Sequence, residues 1–333
     1  MARWAEVSDW KRSLDRWQRR HGPAGFVFAV FRKYSEDQVG YVAAAIAYYA
    51  FFSIFPLLLV FTTVLGFVLD RHGHLYRSLI DSALGQFPVI GPQLHTHSLS
   101  GSAFGVAVGL VLAVWAGMRV FMAAEDAMNR LWGVPFPRRP GFLRARLRAL
   151  GLLVLLGGGV LAATVLASLA TFGASYGTAW KIGSMLLSTL LNIGLFWVGL
   201  RLLTAKDVSW HALRGGAIAA GIAYEVLQAV GGFYVGHVLT SASNTYGTFA
   251  LVIGLLSWIY LSVHTTLLAA EGNVVATRRL WPRSLSTAPD RPPTEADRRA
   301  LEQQLTGDER RPDEQIDVEF ANPRSHPSRH DPS

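Results

Sequence analysis

The chain has 333 residues, a formal net charge of +8 and no cysteine; 51% of it is hydrophobic and 16% charged. The absent cysteines exclude disulfides and thiolate metal sites. Long uncharged runs argue against two soluble domains and for an all-α, polytopic membrane helix bundle. The basic excess sits in the N-terminal segment and in two loops between apolar runs. That fits a cytoplasmic membrane face better than a nucleic-acid groove.

The first segment, residues 1–40, is charged and rich in Trp, with no apolar core of a cleavable signal. The first apolar run is therefore expected to act as an uncleaved anchor. Trp4, Val7, Trp10, Leu14 and Trp17 recur at three- and four-residue spacing, so they share one helix face, with Lys and Arg around the rest. The spacing predicts an amphipathic helix lying in the membrane interface, tryptophans toward the acyl boundary. The alternative is an ordinary helix packed on a cytoplasmic loop.

Residues 41–275 form the expected transmembrane domain. Gln38 to Leu69 holds no charged residue, enough to cross a core of about 30 Å. Further runs lie near Ala103 to Met118, within Ala149 to Trp180, from Ile182 to Leu200, from about Ala212 to Val238, and from about Gly247 to Ala270. Six transmembrane helices follow. Lys and Arg alternate between rich and poor loops: Lys11 to Lys33 before the first run, Arg130 to Arg146 after the second, Lys206 and Arg214 after the fourth, Arg278 to Arg283 after the sixth. This alternation places both termini in the cytoplasm of a multi-pass inner (plasma) membrane protein. The tail, residues 276–333, is rich in both charge signs and Pro. It is expected to be disordered from Ala288, with room for a short helix around Glu295 to Leu305.

The stretch "IAYYAFFSIFPLLL" puts Pro56 inside an apolar helix. A proline there frees the carbonyl four residues back, that of Phe52, and favours a kink. The freed group needs a partner; the Ser53 hydroxyl is a candidate, with Tyr48 and Tyr49 one to two turns earlier. The kink either borders a cavity or simply shapes the bundle.

Glu225, near the middle of the fifth run, is the sharpest signal. A central acid costs about 2.5–3.5 kcal/mol on insertion scales, so it should face the protein interior or water. Gly221, Glu225, Gln228, Gly232 and Gly236 share its stripe, small residues for close approach and polar ones for bonding across helices. The site would carry substrate or a proton, or else be a structural hydrogen bond. The sixth run adds Ser257, Tyr260, His264 and Glu271, with Arg119 of the second run at a similar depth as a partner for Glu271. Arg119 could instead snorkel to headgroups. Asn192 reads as a structural amide.

His72, His74, His95 and His97 match no standard zinc spacing and read as exposed loop residues. Gly157 to Gly159 falls inside a span, where packing explains it. Gly105/Gly109 and Gly232/Gly236 fit the Gly-x-x-x-Gly pattern of close helix packing, within one subunit or between copies, so a homo-oligomer stays open. No Walker loop, Gly-x-Ser-x-Gly, His-Glu-x-x-His or dinucleotide fingerprint occurs. No catalytic residue, metal site or cofactor is expected, and the chain reads as a non-enzyme.

Four stretches resemble the YihY/BrkB membrane proteins, once labelled ribonuclease BN-like: "AAAIAYYAFFSIFPLLL", "VWAGMRVFMAAEDAMNRLWG", "WHALRGGAIAAGIAYEVLQ" and "NTYGTFALVIGLLSWIYLSVHTTLLAAEGN". They match at Tyr48, Ser53, Pro56, Trp115, Asn129, Trp210, Gly215, Tyr246, Gly247, Trp258 and Glu271, over about residues 25 to 275. One departure is "LLTAKDVSW", where the family often has a preceding proline. The resemblance implies an integral inner-membrane protein of about six helices, with transport of lipids or small organic anions suggested for some relatives.

Three functions are therefore carried forward. The first is a transporter or lipid translocator using Glu225, Gln228, Arg119, His264, Glu271, Tyr48, Ser53 and Pro56. The second is a non-transporting scaffold for the envelope. The third, a membrane-bound ribonuclease, lacks residues to hold the metals or orient water. Expected partners are membrane lipids and a lipid or small organic anion as substrate, with no nucleic acid.

Overall fold

The computed structural model describes residues 13–69, 103–172, 177–204, 208–234, 248–285 and 293–319. Among these residues there is no β-strand. We number the longer helices α1 Gly22–Glu36, α2 Val39–Leu69, α3 Ala103–Leu131, α4 Phe142–Phe172, α5 Thr178–Leu203, α6 Arg214–Tyr234, α7 Thr248–Arg278 and α8 Glu295–Gly307. Helices α2 to α7 fall on the six apolar runs. Two reach further than hydropathy alone suggests: α3 continues past Met118 to Leu131, and α7 past Ala270 to Arg278.

Among the described residues, four segments are long and apolar enough to cross a membrane: Val39–Leu57, Ala107–Leu131, Ile182–Leu203 and Val252–Arg278. The chain is a helical membrane protein. Helix α6 is not among the four, although its 21 residues span about 32 Å at 1.5 Å per residue. Arg214, Glu225, Gln228 and its glycines dilute its apolar content.

The fold divides into two compact units. The larger comprises residues 38–128 and 140–270. Many large apolar side chains on its helices face outward, beside small ones that are buried. On α2, Val39, Ala43 and Ala47 are buried, while Tyr41, Tyr48, Phe52 and Phe55 are exposed. An apolar helix with no polar side suits a lipid surround. One core cluster joins three helices: Ala47, Phe51 and Ile54 of α2, Leu227 of α6, and Leu255, Trp258 and Ile259 of α7. Helix α4 packs on α5, and α5 on α6. Of the glycine triplet in α4, only Gly159 meets a neighbour among the described residues, the Leu195 side chain of α5.

The smaller unit gathers residues 1–37, 129–139 and 271–333. Gly25, Ala29 and Lys33 recur every fourth residue along the buried face of α1. The small side chains permit close approach: a Cβ on Gly25 would lie 2.9 Å from the Gln18 carbonyl oxygen. Residues 13–20 are helical and bury Asp15 and Gln18, while Leu14 and Trp17 point outward. The outer face is thus the one that the Trp spacing marks; Trp4, Val7 and Trp10 lie outside the described residues.

The expectation of a disordered tail needs correction for residues 293–319. Thr294 caps α8 through a capping box: its hydroxyl accepts from the Asp297 N–H at 3.1 Å, and Asp297 accepts from the Thr294 N–H at 3.1 Å. Ala296 and Ala300 are buried. Gly133, at φ +61°, admits this helix: a Cβ there would sit 2.6 Å from the Gln303 carbonyl oxygen, and Gln303 donates Nε2–H to the Leu131 carbonyl at 2.9 Å. The Phe136 N–H donates to the Glu309 carbonyl at 3.1 Å. Hydrogen bonds and a glycine notch thus hold a strongly polar segment that has little apolar surface to bury.

Candidate functional site

In the larger unit, the polar face of α6 meets α5. Gly221 makes the approach possible, since a Cβ there would lie 2.6 Å from Ile193 Cγ1. One turn later Glu225 accepts a hydrogen bond from Asn192 Nδ2 at 2.7 Å. Beside them, Gln228 donates Nε2–H to the Tyr224 hydroxyl at 3.1 Å, and Tyr224 packs edge-on against Phe196 of α5. The Gln228 Oε1 is buried with no hydrogen-bond partner. The other side of α6 faces α7, where Gly231 leaves room only for the Trp258 ring. Gly221 and Glu225 of the predicted stripe both meet α5, and Asn192 is an amide that bonds across helices, with Glu225 as its partner. Gly232 is part of α6 with its surroundings not described, and Gly236 lies outside the described residues.

Arg119 is exposed on α3. Its Cζ lies 5.2 Å from the Trp115 ring and 6.0 Å from the Tyr49 ring. Aromatic faces attract a guanidinium electrostatically but leave its five N–H donors free to bond elsewhere. Tyr48 is exposed and rests on Tyr49 and Phe52. Ser53 is buried, and its hydroxyl donates to the Ala50 carbonyl at 2.8 Å, not to that of Phe52. The carbonyl one turn before Pro56 thus does not take this hydroxyl, because the helix offers Ser53 a nearer acceptor three residues back. Pro56 sits inside α2 without ending it. On α7, His264 lies 5.6 Å from the Tyr260 ring, while Ser257 is exposed.

Glu271 belongs to the smaller unit, where its cation is Lys33 rather than the Arg119 expected from depth. Lys33 is buried; its Nζ donates to the Leu131 carbonyl at 3.1 Å and to Asp37 Oδ2, and stands 3.4 Å from Glu271 Oε2. Glu271 is fully buried, and its pair with Lys33 has the distance of an ion pair but not the angles of a hydrogen bond. Around it runs a second set of charges. Arg283 grips Glu36 with two donors, at 2.5 and 3.0 Å, and reaches Asp297 Oδ1 at 3.2 Å. Arg32 bonds Glu36 at 3.0 Å and lies 3.4 Å from Asp297. Asp15 takes the Leu285 N–H at 2.8 Å.

Burial pushes the Asp297 carboxyl up. The Thr294 hydroxyl, the Ser284 and Thr294 N–H groups and the Arg32 guanidinium together outweigh that and hold it below the usual carboxylate value.

Sequence reading missed one further pair. Glu125, buried on α3, bonds Arg148 of α4 at 3.3 Å. The signal was available: an acid followed 23 residues later by a base, once α3 is allowed to run beyond Met118. Among the described residues, no group of three or more His, Cys, Asp or Glu side chains forms a metal site. His72, His74, His95 and His97 lie outside them.

Comparison with known proteins agrees with the helical reading. The family described as "Virulence factor BrkB" matches residues 30–294. A UPF0761 membrane protein of Azotobacter vinelandii is 31% identical over 275 residues, covering 77% of this chain and 64% of its own length. One from Ralstonia nicotianae is 27% identical, with 72% and 56% covered, and one from Pseudomonas paraeruginosa 28%, with 80% and 66%. The chain thus spans somewhat less than two thirds of the length of these relatives. No solved structure matches it.

Proposed function

Because the chain belongs to the BrkB family of membrane proteins, we propose that it is a multi-pass inner-membrane transporter whose path runs along the α5–α6 contact. All six helices α2 to α7 cross the bilayer in this reading, and the basic loops, with the segments before α2 and after α7, face the cytoplasm. The observation that carries it is the Asn192–Glu225 bond: a carboxyl and an amide facing each other between α5 and α6. Intramembrane acids are costly and cluster on substrate and ion pathways. Arg119, framed by Trp115 and Tyr49 with its donors unspent, receives the anionic part of a lipid or small organic anion. Pro56 and His264 lie on helices that share the core cluster with α6, so movement there is felt by the site.

The test is flux in proteoliposomes against a panel of labelled phospholipids and organic anions, wild type beside Glu225→Gln. Loss of flux at an unchanged protein level supports the assignment. Unchanged flux in the variant removes Glu225 from the path. No flux from any panel member, with Glu225 and Arg119 both tolerant of substitution, favours the scaffold reading.

A further inference from the structure

The chemistry around Glu225 fixes the sign of what it can hold. One carboxylate oxygen accepts from Asn192. No Lys, Arg or His among the described residues lies within ion-pair distance of this carboxylate. The groups facing it are Asn192 from α5, and Tyr224 and Gln228 from its own helix. In the core cluster shared with α6, α7 contributes Leu255, Trp258 and Ile259, with the titratable Tyr260 and Val263 packed against them.

Besides the carboxylate, one acceptor of this cluster stays unspent among the described residues. Gln228 has committed its Nε2–H to Tyr224, and its Oε1 is buried without a partner. Glu225 and Gln228 stand three residues apart, on one helix face. The face therefore presents a carboxylate oxygen and an amide oxygen, both hard ligands suited to a proton or an alkali cation. An ionised carboxyl with no countercharge on an apolar helix is neutralised from outside. An anion would meet like charge and an unpaired acceptor.

We infer that the Glu225–Gln228 face is a cation site, taking a proton or an alkali cation such as sodium, with Gln228 Oε1 as its second oxygen. This rests on the α5–α6 contact being the transport path, and it adds the coupling ion. The site repels the anionic substrate, which belongs at Arg119. Opposite charges then bind at separate places.

The experiment needs no substrate. Full-length protein in liposomes is treated with dicyclohexylcarbodiimide. This reagent takes the proton of a protonated carboxyl in apolar surroundings, bonds to its oxygen, and rearranges to a stable N-acylurea read by mass spectrometry. The inference expects Glu225 to be labelled in wild type and the mass shift to vanish in Glu225→Gln. Several-fold protection by sodium chloride over choline chloride at equal ionic strength identifies an alkali ion. Labelling that ignores sodium but falls as pH rises identifies a proton. If sodium protects wild type, Gln228→Leu should weaken the protection several-fold. Absence of labelling at every pH in protein that keeps its melting profile overturns the inference, and so does labelling indifferent to both pH and sodium. Because labelling is read without flux, the cation site and the transport path can fail separately.

Discussion

Glu225 and Glu271 are both acids on long apolar helices, yet they keep different company. Glu271 is sealed in the smaller unit against Lys33, whose other donors hold Asp37 and the end of α3. Every charge nearby has a counter-charge: Arg283 and Arg32 answer Glu36 and Asp297. Among the described residues Glu225 has an amide and no cation, and the amide next to it keeps an idle oxygen. A cluster whose charges balance asks for no outside ion, so it fixes structure, even though both Glu271 oxygens are buried without a hydrogen-bond donor. An unbalanced one costs stability, and a chain keeps that cost where the vacancy is used. On this ground Glu271, which the sequence also offered as a relay or gate, reads as a fastener, and Glu225 as the working group.

The largest effect that separates the two is expected at Lys33. Lys33→Met leaves Glu271 and Asp37 buried without their cation and should cost about 3–5 kcal/mol. The double variant with Glu271→Gln should recover most of that in a thermal melt of the protein in nanodiscs. Glu225→Gln should leave the same melt nearly unmoved while abolishing flux. If the two acids behave alike in the melt, the distinction between fastener and working group fails. A smaller loss is expected at Gly221, whose missing side chain lets α5 reach Glu225. Gly221→Val should cost about 1–3 kcal/mol through overpacking. It should also reduce flux, because it pushes Asn192 out of reach of Glu225. A melt shift without any change in flux would detach the α5–α6 contact from the path.

How far the sequence foretold this depends on the range of the forces involved. The six runs and the stripe from Gly221 to Gln228 are local patterns, and each appears in the structure where periodicity put it. The α8 helix was also legible, since Thr294 and Asp297 are an N-cap and its answering acid three residues on. Its docking was not. Glu36 and Arg283 are 247 residues apart, and Asp15 and Leu285 270; such pairs leave no periodic trace. Composition then misleads, because a polar segment held by hydrogen bonds has the same residue content as a disordered one. The partner of Glu271 was missed for a related reason. Depth along the bundle pointed to Arg119, whereas Lys33 comes from α1, which precedes the first apolar run. Ser53 erred the other way: a local i−3 acceptor outcompeted the proline-freed carbonyl.

The smallest effect concerns the charges that hold α8, and its sign follows from Asp297. The carboxyl lies below its ordinary 3.8 in the folded chain. A group whose folded value is depressed contributes stability that is complete above the unfolded value and lost as pH falls through the folded one. Docking of residues 293–319 should therefore be flat from neutral pH down to about 4 and weaken only below it. Pepsin, which works in acid, reads this as cleavage near Leu301 and Leu305. Asp297→Asn removes the charge but keeps the shape. It should make this segment more susceptible throughout the flat range and blunt the acid step, because the guanidinium of Arg283 then meets an amide. If cleavage in wild type already rises well above pH 4, the Thr294 and Ser284 donors do not hold the carboxylate as drawn. The segment would then be fastened mainly by the Gly133 notch and the Gln303 amide.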